Sequence, residues 1–197
     1  VRQQSIDMFG RVDKKMATII AENVGARPPK EAEVPVTESY PSLSQANTPH
    51  YAYTQKVGVL IGNNFNGNEV RRTLDKLCQC GVFITIISER LGAVTGTDGT
   101  KLKVDETFIT TSSVLYDSFY VVGGKTSNQS NFNDNTMEFV NQAYKFYKPI
   151  GIATTGETYM KPSENNNLAG VIFAKNNPNF ENEFIKAIAQ QRFWNRT

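Results

Sequence analysis

From Lys56 onward the chain alternates strand-length apolar runs with amphipathic helical segments, and this alternation limits the fold more than any other feature. Val57 to Ile61 is a continuous apolar run, the pattern of a strand buried on both faces. Helical spacing follows over Glu69 to Cys80, with Val70, Leu74, Leu77 and Cys78 on one face and Gly81 as the stop. Val82 to Ser88 reads as a second strand. Ala93 to Val104 places Thr97-Asp98-Gly99-Thr100 between two short alternating runs, a hairpin signal. Ser118 to Val122 is a third central strand that ends at Gly123-Gly124. A helix over Asp134 to Lys148 and strands over Ile150 to Ala153 and Ala169 to Ala174 follow. Asn179 to Trp194 closes the chain as a helix with Phe180, Phe184, Ala187 and Ile188 facing in.

Strands and helices of these lengths in alternation imply a parallel sheet covered on both faces by helices. The expected fold class is α/β: a flavodoxin-like three-layer sandwich with a central, mainly parallel sheet in the order 2-1-3-4-5 and the hairpin as an embellishment. A short helix and a proline-rich linker precede it. Residues 1–25 carry Val12, Met16, Ile19 and Ile20 at helical spacing, with Asp13 near the start and Gly25 as the stop. The reading is one short helix, preceded by at most a turn of another, whose apolar face lacks a partner in its own segment. Residues 26–55 hold Pro28, Pro29, Pro35, Pro41 and Pro49 among polar residues. Proline at that density excludes helix and sheet interiors, so an extended strap is expected. The third part, 56–197, is the α/β domain.

The formal charge of +2 is spread along the chain. The densest basic spot, Arg71-Arg72, is flanked by Glu69 and Asp75, which argues against nucleic acid as a partner. No apolar run reaches the roughly 20 residues of a membrane helix, so no membrane partner is expected. Cys78 and Cys80 lie one residue apart, and the single histidine, His50, sits in the linker; this cannot make a zinc site. The expectation is two free thiols at a helix end, at least one buried; these lean toward a reducing, cytoplasmic compartment, but the localisation stays open because the parent's N-terminus is missing. Val1 is not a start residue, so the chain reads as a fragment whose parent N-terminus lies elsewhere.

Open parallel sheets bind ligands beyond the carboxyl ends of their strands. Three loops meet there. Gly62-Asn63-Asn64-Phe65-Asn66-Gly67-Asn68 leads into a helix N-terminus, where a flavin phosphate could sit. It lacks the hydroxyls of a phosphate loop, and its asparagines and glycines favour turns and caps. Gly123-Gly124 lets the chain turn sharply at a strand end. Thr154-Thr155-Gly156-Glu157 occupies the elbow where such folds expose a nucleophile. Thr154 has no histidine in its domain to activate it. Glu69 is the acidic residue placed to reach this rim from the first loop, and a first-turn carboxylate also suits the helix dipole. Glu69, Gly123, Gly124, Thr154 and Thr155 are therefore expected to form a vestigial pocket. The catalytic, cofactor-binding and metal-binding sets are expected to be empty.

Lys56 to Val70, Gly81 to Asp98 and Tyr120 to Gly124 resemble the superfamily of class I glutamine amidotransferases and intracellular cysteine proteases. The closer resemblance is to the C-terminal domain of large-subunit haem catalases. It rests on Ser88-Glu89-Arg90-Leu91-Gly92-Ala93-Val94 with Asp98-Gly99-Thr100, on Lys145 to Ile152, and on Arg192-Phe193-Trp194-Asn195-Arg196. Val12-Asp13-Lys14-Lys15-Met16-Ala17 and Ile20-Ala21-Glu22-Asn23-Val24-Gly25 resemble the close of the catalase helical region. The resemblance implies that the superfamily's nucleophilic cysteine falls at Thr154 and its histidine neighbour at Thr155, while the acidic partner is kept as Glu69. One of three elements cannot run covalent catalysis. It further implies that haem belongs to the parent's barrel, since no tyrosine here can be assigned as its ligand.

The function expected from this resemblance is that of an accessory domain without catalysis, stabilising the subunit or tetramer of a parent that decomposes hydrogen peroxide. Its partners would be the catalase core of the same chain and the neighbouring subunits of a homotetramer. Three alternatives remain: a chaperone-like module that binds unfolding client proteins, a small-molecule enzyme using Glu69 and the threonines, and a gate on peroxide access.

Overall fold

The computed structural model describes residues 2–30, 41–43, 48–124, 129–160 and 167–196. The chain divides into two compact units, Val1–Pro49 and His50–Thr197. In the first, α1 spans Arg2–Gly10 and α2 spans Lys14–Val24. The sequence signals only the second of these. Asp13 caps α2 by accepting a hydrogen bond from the Met16 amide at 2.9 Å, and Gly25 ends it in the left-handed region at φ 65°. The apolar spacing misleads about the packed face. The buried residues are Ile6 and Gly10 of α1 and Ala17 and Ala21 of α2, short side chains that let the two helices pack together. Val12, Met16 and Ile19 are exposed instead, and Ile20 is half-buried. Of the expected strap, Pro41–Leu43 forms a 3-10 turn, while 31–40, with Pro35, and 44–47 lie outside the described residues.

The second unit runs β1 (Lys56–Ile61), α3 (Gly67–Gln79), β2 (Phe83–Ser88), β3 (Gly92–Thr95), β4 (Lys101–Val104), β5 (Glu106–Thr107), β6 (Ser118–Gly123), α4 (Gln129–Lys145), β7 (Ile150–Ile152), β8 (Val171–Phe173) and α5 (Phe180–Gln190). Among the described residues, six strands form one sheet in the order β5-β2-β1-β6-β7-β8, and every pairing in it is parallel. Without its edge strand β5 this is the expected 2-1-3-4-5 order. β3 and β4 form the separate antiparallel hairpin.

Side chains alternate across the sheet, as strand geometry requires. Val57, Val59, Ile61, Tyr120 and Val122 enter one core with Val70 and Leu77 of α3 and Phe180, Phe184 and Ile188 of α5. Leu60, Phe119, Val121, Ile150 and Ile152 enter the other with Phe132, Phe139 and Val140 of α4. In this second core Phe108, Phe119, Phe132 and Phe139 meet edge to face at 5.4–5.7 Å between ring centres. The second unit is thus an α/β sandwich with helices on both faces of a parallel sheet. Among the described residues no helix is long and apolar enough to cross a membrane.

Three local expectations fail. Cys78 is exposed, and Cys80 is half-buried against the core, so neither thiol is fully buried; Thr73 takes the buried place beside Val70 and Leu77. α4 ends at Lys145, before Tyr147 in the left-handed region, which leaves Lys148 beyond the helix. Its ammonium is buried and donates to the Ser113 and Tyr116 carbonyls at 2.7 and 2.6 Å. α5 ends at Gln190, because Gln191 turns to φ 66°.

That early ending frees 191–196 to fold back across the domain. Phe193 donates its amide to the Tyr147 carbonyl at 2.9 Å. Arg196, only 4% exposed, donates to the carbonyls of Ala169, Tyr144 and Lys148 at 2.7, 3.1 and 3.1 Å. Its guanidinium also lies 4.7 Å from the Tyr144 ring centre. One planar fork therefore ties α4, the turn after it and the start of β8 to the chain end. Arg196→Ala leaves those carbonyls without their donor and is expected to destabilise the domain by about 2–4 kcal/mol. Arg196→Lys is expected to recover less than half of the loss, because an ammonium cannot reproduce the fork. Urea unfolding midpoints of the three proteins check this.

Candidate functional site

β1, β6 and β7 bring their carboxyl ends to one rim of the sheet. Gly62 donates its amide to the Gly123 carbonyl at 2.8 Å, and Ala153 to that of Val121 at 2.9 Å. Gly123 and Gly124 have φ of 71° and 141°. A Cβ on Gly124 would lie 2.5 Å from the Asn63 carbonyl oxygen. Only glycine fits there, because the contact is with backbone, which cannot swing away.

The five expected pocket residues converge on this rim, and much of their bonding is to one another and to the strand ends. Glu69 lies in the first turn of α3, where the Asn66 side chain caps its amide at 3.2 Å. The Glu69 carboxylate Oε1 accepts the Thr154 amide at 2.8 Å. The Thr155 hydroxyl donates to the Val122 carbonyl at 2.6 Å. Thr154 begins a 3-10 turn, Thr154–Tyr159, directly after β7. The carboxylate therefore faces a backbone amide where a catalytic acid would face a base.

The first loop is held by the hairpin. Asn64 donates its amide to the Thr95 carbonyl at 2.7 Å, and the Asn63 side chain accepts the Thr95 amide at 2.8 Å. Thr97 donates its amide to the Phe65 carbonyl at 2.9 Å, and Phe65 is fully buried. At the hairpin tip Asp98 accepts from the Thr100 amide and hydroxyl at 3.1 and 2.9 Å. Those two hydrogen bonds, with Arg71 adding attraction, hold the Asp98 carboxyl below the usual carboxylate range. Asp98 and Thr100 press against Gly67, where no Cβ would fit. At the N-terminus of α3, Asn66 caps the Glu69 amide, and the Asp98 carboxylate lies against Gly67.

Beside this rim lies a cavity of about 580 Å³. Gly124 and Thr155 line it, but Glu69, Gly123 and Thr154 do not. Asn64, Thr97, Asn133, Thr158 and Tyr159 complete the wall. The Tyr159 hydroxyl donates to Asn133 Oδ1 at 2.6 Å, and burial pushes its pKa up, which keeps the donor proton in place. Asn133, Thr158 and Tyr159 carry no motif in sequence; only the return of the 3-10 turn against α4 brings them to the rim. His50 is exposed and precedes β1. Among the described residues no group of three His, Cys, Asp or Glu side chains could hold a metal ion.

Residues 53–197 match the family described as the C-terminal domain found in long catalases. The chain belongs to that family. The long-catalase C-terminal domain is recognisable beyond the family match. Catalase of Alkalihalophilus pseudofirmus is 38% identical over 196 residues, covering 100% of this chain and 29% of that protein. Catalase-2 of Bacillus subtilis is 38% identical over 201 residues, again 100% of this chain and 29% of that protein. Catalase HPII of Mycobacterium avium is 29% identical over 218 residues, with 100% and 30% covered. The chain therefore spans under a third of the length of these relatives. A solved two-domain protein of Anabaena variabilis with DJ-1/ThiJ/PfpI-like and ferritin-like domains overlaps 54% of this chain and 32% of its own, at 22% identity and a TM-score of 0.49.

Two outcomes follow from the geometry. Glu69→Gln keeps an acceptor for the Thr154 amide and is expected to change stability by less than about 0.5 kcal/mol, whereas Glu69→Ala costs about 1–2 kcal/mol; thermal unfolding of both variants checks it. Asp98 has a depressed pKa in the folded state, so its contribution is full above about pH 3.9, the ordinary value, and is lost as pH falls through the lower folded value. Amide exchange at Thr97 and Thr100 is expected to speed up over that acid window and to lose this pH dependence in Asp98→Asn.

Proposed function

We propose that the chain is the C-terminal portion of a long haem catalase that decomposes hydrogen peroxide, and that its α/β domain acts there by stabilising the subunit or its tetramer without catalysis of its own. In this reading residues 1–25 close the helical region of the catalase core, 26–55 connect it, and 56–197 form the accessory domain. Haem is held by the parent's barrel. Glu69, Gly123, Gly124, Thr154 and Thr155 are the remnant of a former pocket.

The observation that carries this reading is the mutual bonding of the rim. A covalent catalyst of this fold needs a nucleophile and a base with unspent hydrogen-bonding capacity. Here the nucleophile position is Thr154, residues 56–197 hold no histidine to activate it, the Glu69 carboxylate is engaged by the Thr154 amide, and the neighbouring Thr155 hydroxyl is engaged by the Val122 carbonyl. The exposed apolar residues of the first unit, Met8 at 62%, Val12 at 68% and Ile19 at 51%, support a covering partner such as the catalase core.

Deletion of residues 50–197 from the full-length parent tests the role. The truncated enzyme is expected to keep its haem and its initial peroxide turnover but to inactivate faster on heating and in urea. Unchanged resistance would remove the proposal. The chain alone is expected to show no haem absorption band and to release no oxygen from peroxide; a haem band with turnover would contradict the assignment of the chemistry to the parent's barrel.

A further inference from the structure

We propose that the cavity beside the ends of β1, β6 and β7 is a binding site for a neutral, sugar-sized polyol. At about 580 Å³ it falls within the roughly 300–1,000 Å³ of small-molecule sites. Five separate segments build it: the loop after β1, the hairpin tip, the end of β6, the first turns of α4 and the 3-10 turn after β7. Among the described residues, none that lines it carries a charge.

The chemistry of the wall selects the ligand. Among the described residues an anion would find no lining cation, and the Glu69 and Asp98 carboxylates lie at the nearby N-terminus of α3. A cation would find no carboxylate among the described lining residues. An apolar molecule would strip water from Thr158 and Asn133 without replacing its hydrogen bonds.

Hydroxyl groups, which both donate and accept, meet what is offered. The Thr155 hydroxyl has committed its hydrogen to the Val122 carbonyl, so toward the cavity it accepts. Asn133 has committed Oδ1 to Tyr159, so its Nδ2 donates. The Thr158 hydroxyl serves either way. A molecule with adjacent hydroxyls can give to Thr155 and take from Asn133 at the same time.

The test is a titration of the isotopically labelled chain with D-glucose and, separately, with sodium gluconate, followed by amide shifts in nuclear magnetic resonance. Glucose is expected to bind saturably with a Kd of about 10 mM or tighter, and gluconate at least roughly tenfold more weakly. Asn133→Asp keeps the acceptor for Tyr159 and removes the donor. Thr158→Val removes an exposed hydroxyl, leaving the fold intact. Each is expected to weaken glucose by about tenfold. Absence of saturable shifts up to about 100 mM glucose, equal binding of gluconate, or unaltered affinity in both variants would overturn the proposal. Each of those outcomes leaves the stabilising role untouched, since that role rests on the deletion experiment.

Discussion

β1 lies between β2 and β6 and has no face toward water. Everything else in the α/β domain answers to that position. A strand hydrogen-bonded on both edges and buried on both faces requires two neighbouring strands and two covering layers. α3 and α5 supply one layer, and α4 the other. Gly58 shows how tight the fit is: a Cβ there would lie 2.7 Å from the Phe119 ring, so the α4 side of the strand gives up a side chain to make room for an aromatic. Removing either layer would expose the apolar side chains of at least three strands at once, each worth about 1.5–3 kcal/mol when fully buried.

The same closure explains the character of the rim. In an open parallel sheet the carboxyl ends are where backbone groups remain unpaired and where reactive side chains can gather. In this domain the hairpin folds over the first loop, Asn63 and Thr97 bond across it, and Glu69 reaches the amide at the end of β7. These hydrogen bonds fasten the loops. The proposed stabilising role draws on that arrangement, and the cavity beside it is what the arrangement leaves open.

Cations hold the far side together. Lys148 and Arg196 are both buried, and both donate to carbonyl oxygens. Burial lowers the pKa of the Lys148 ammonium, with Arg192 adding repulsion. Carbonyl dipoles, with Asp117 adding attraction at Lys148, offset part of that cost, and the carbonyls come from segments far apart in sequence: Ser113, Tyr116, Tyr144 and Ala169. Arg196 in the closing segment therefore has a structural role that its side chain alone fills.

Much of this was legible in the chain itself. The continuous apolar runs at Val57–Ile61 and Ser118–Val122 require doubly buried strands, the Thr97-Asp98-Gly99-Thr100 turn requires a hairpin, and Phe180, Phe184 and Ile188 at helical spacing name the closing helix, because local periodicity and turn chemistry are properties of short segments. The convergence of Glu69 with Thr154 could be anticipated from the fold class, which fixes where strand ends meet. Local pattern could not give α1, whose apolar signal is weak, or the exposure of Cys78, where Thr73 takes the core position. Nor could it give the ends of α4 and α5, where Tyr147 and Gln191 enter the left-handed region because Lys148 and Arg196 bury their charges on distant carbonyls. Asn133, Thr158 and Tyr159 were silent in sequence for the same reason. The sequence determined which segments become strands and helices and that they must cover one another. The tertiary structure alone decided which polar groups meet, because a hydrogen bond between residues tens of positions apart depends on how the layers close and leaves no local period to read.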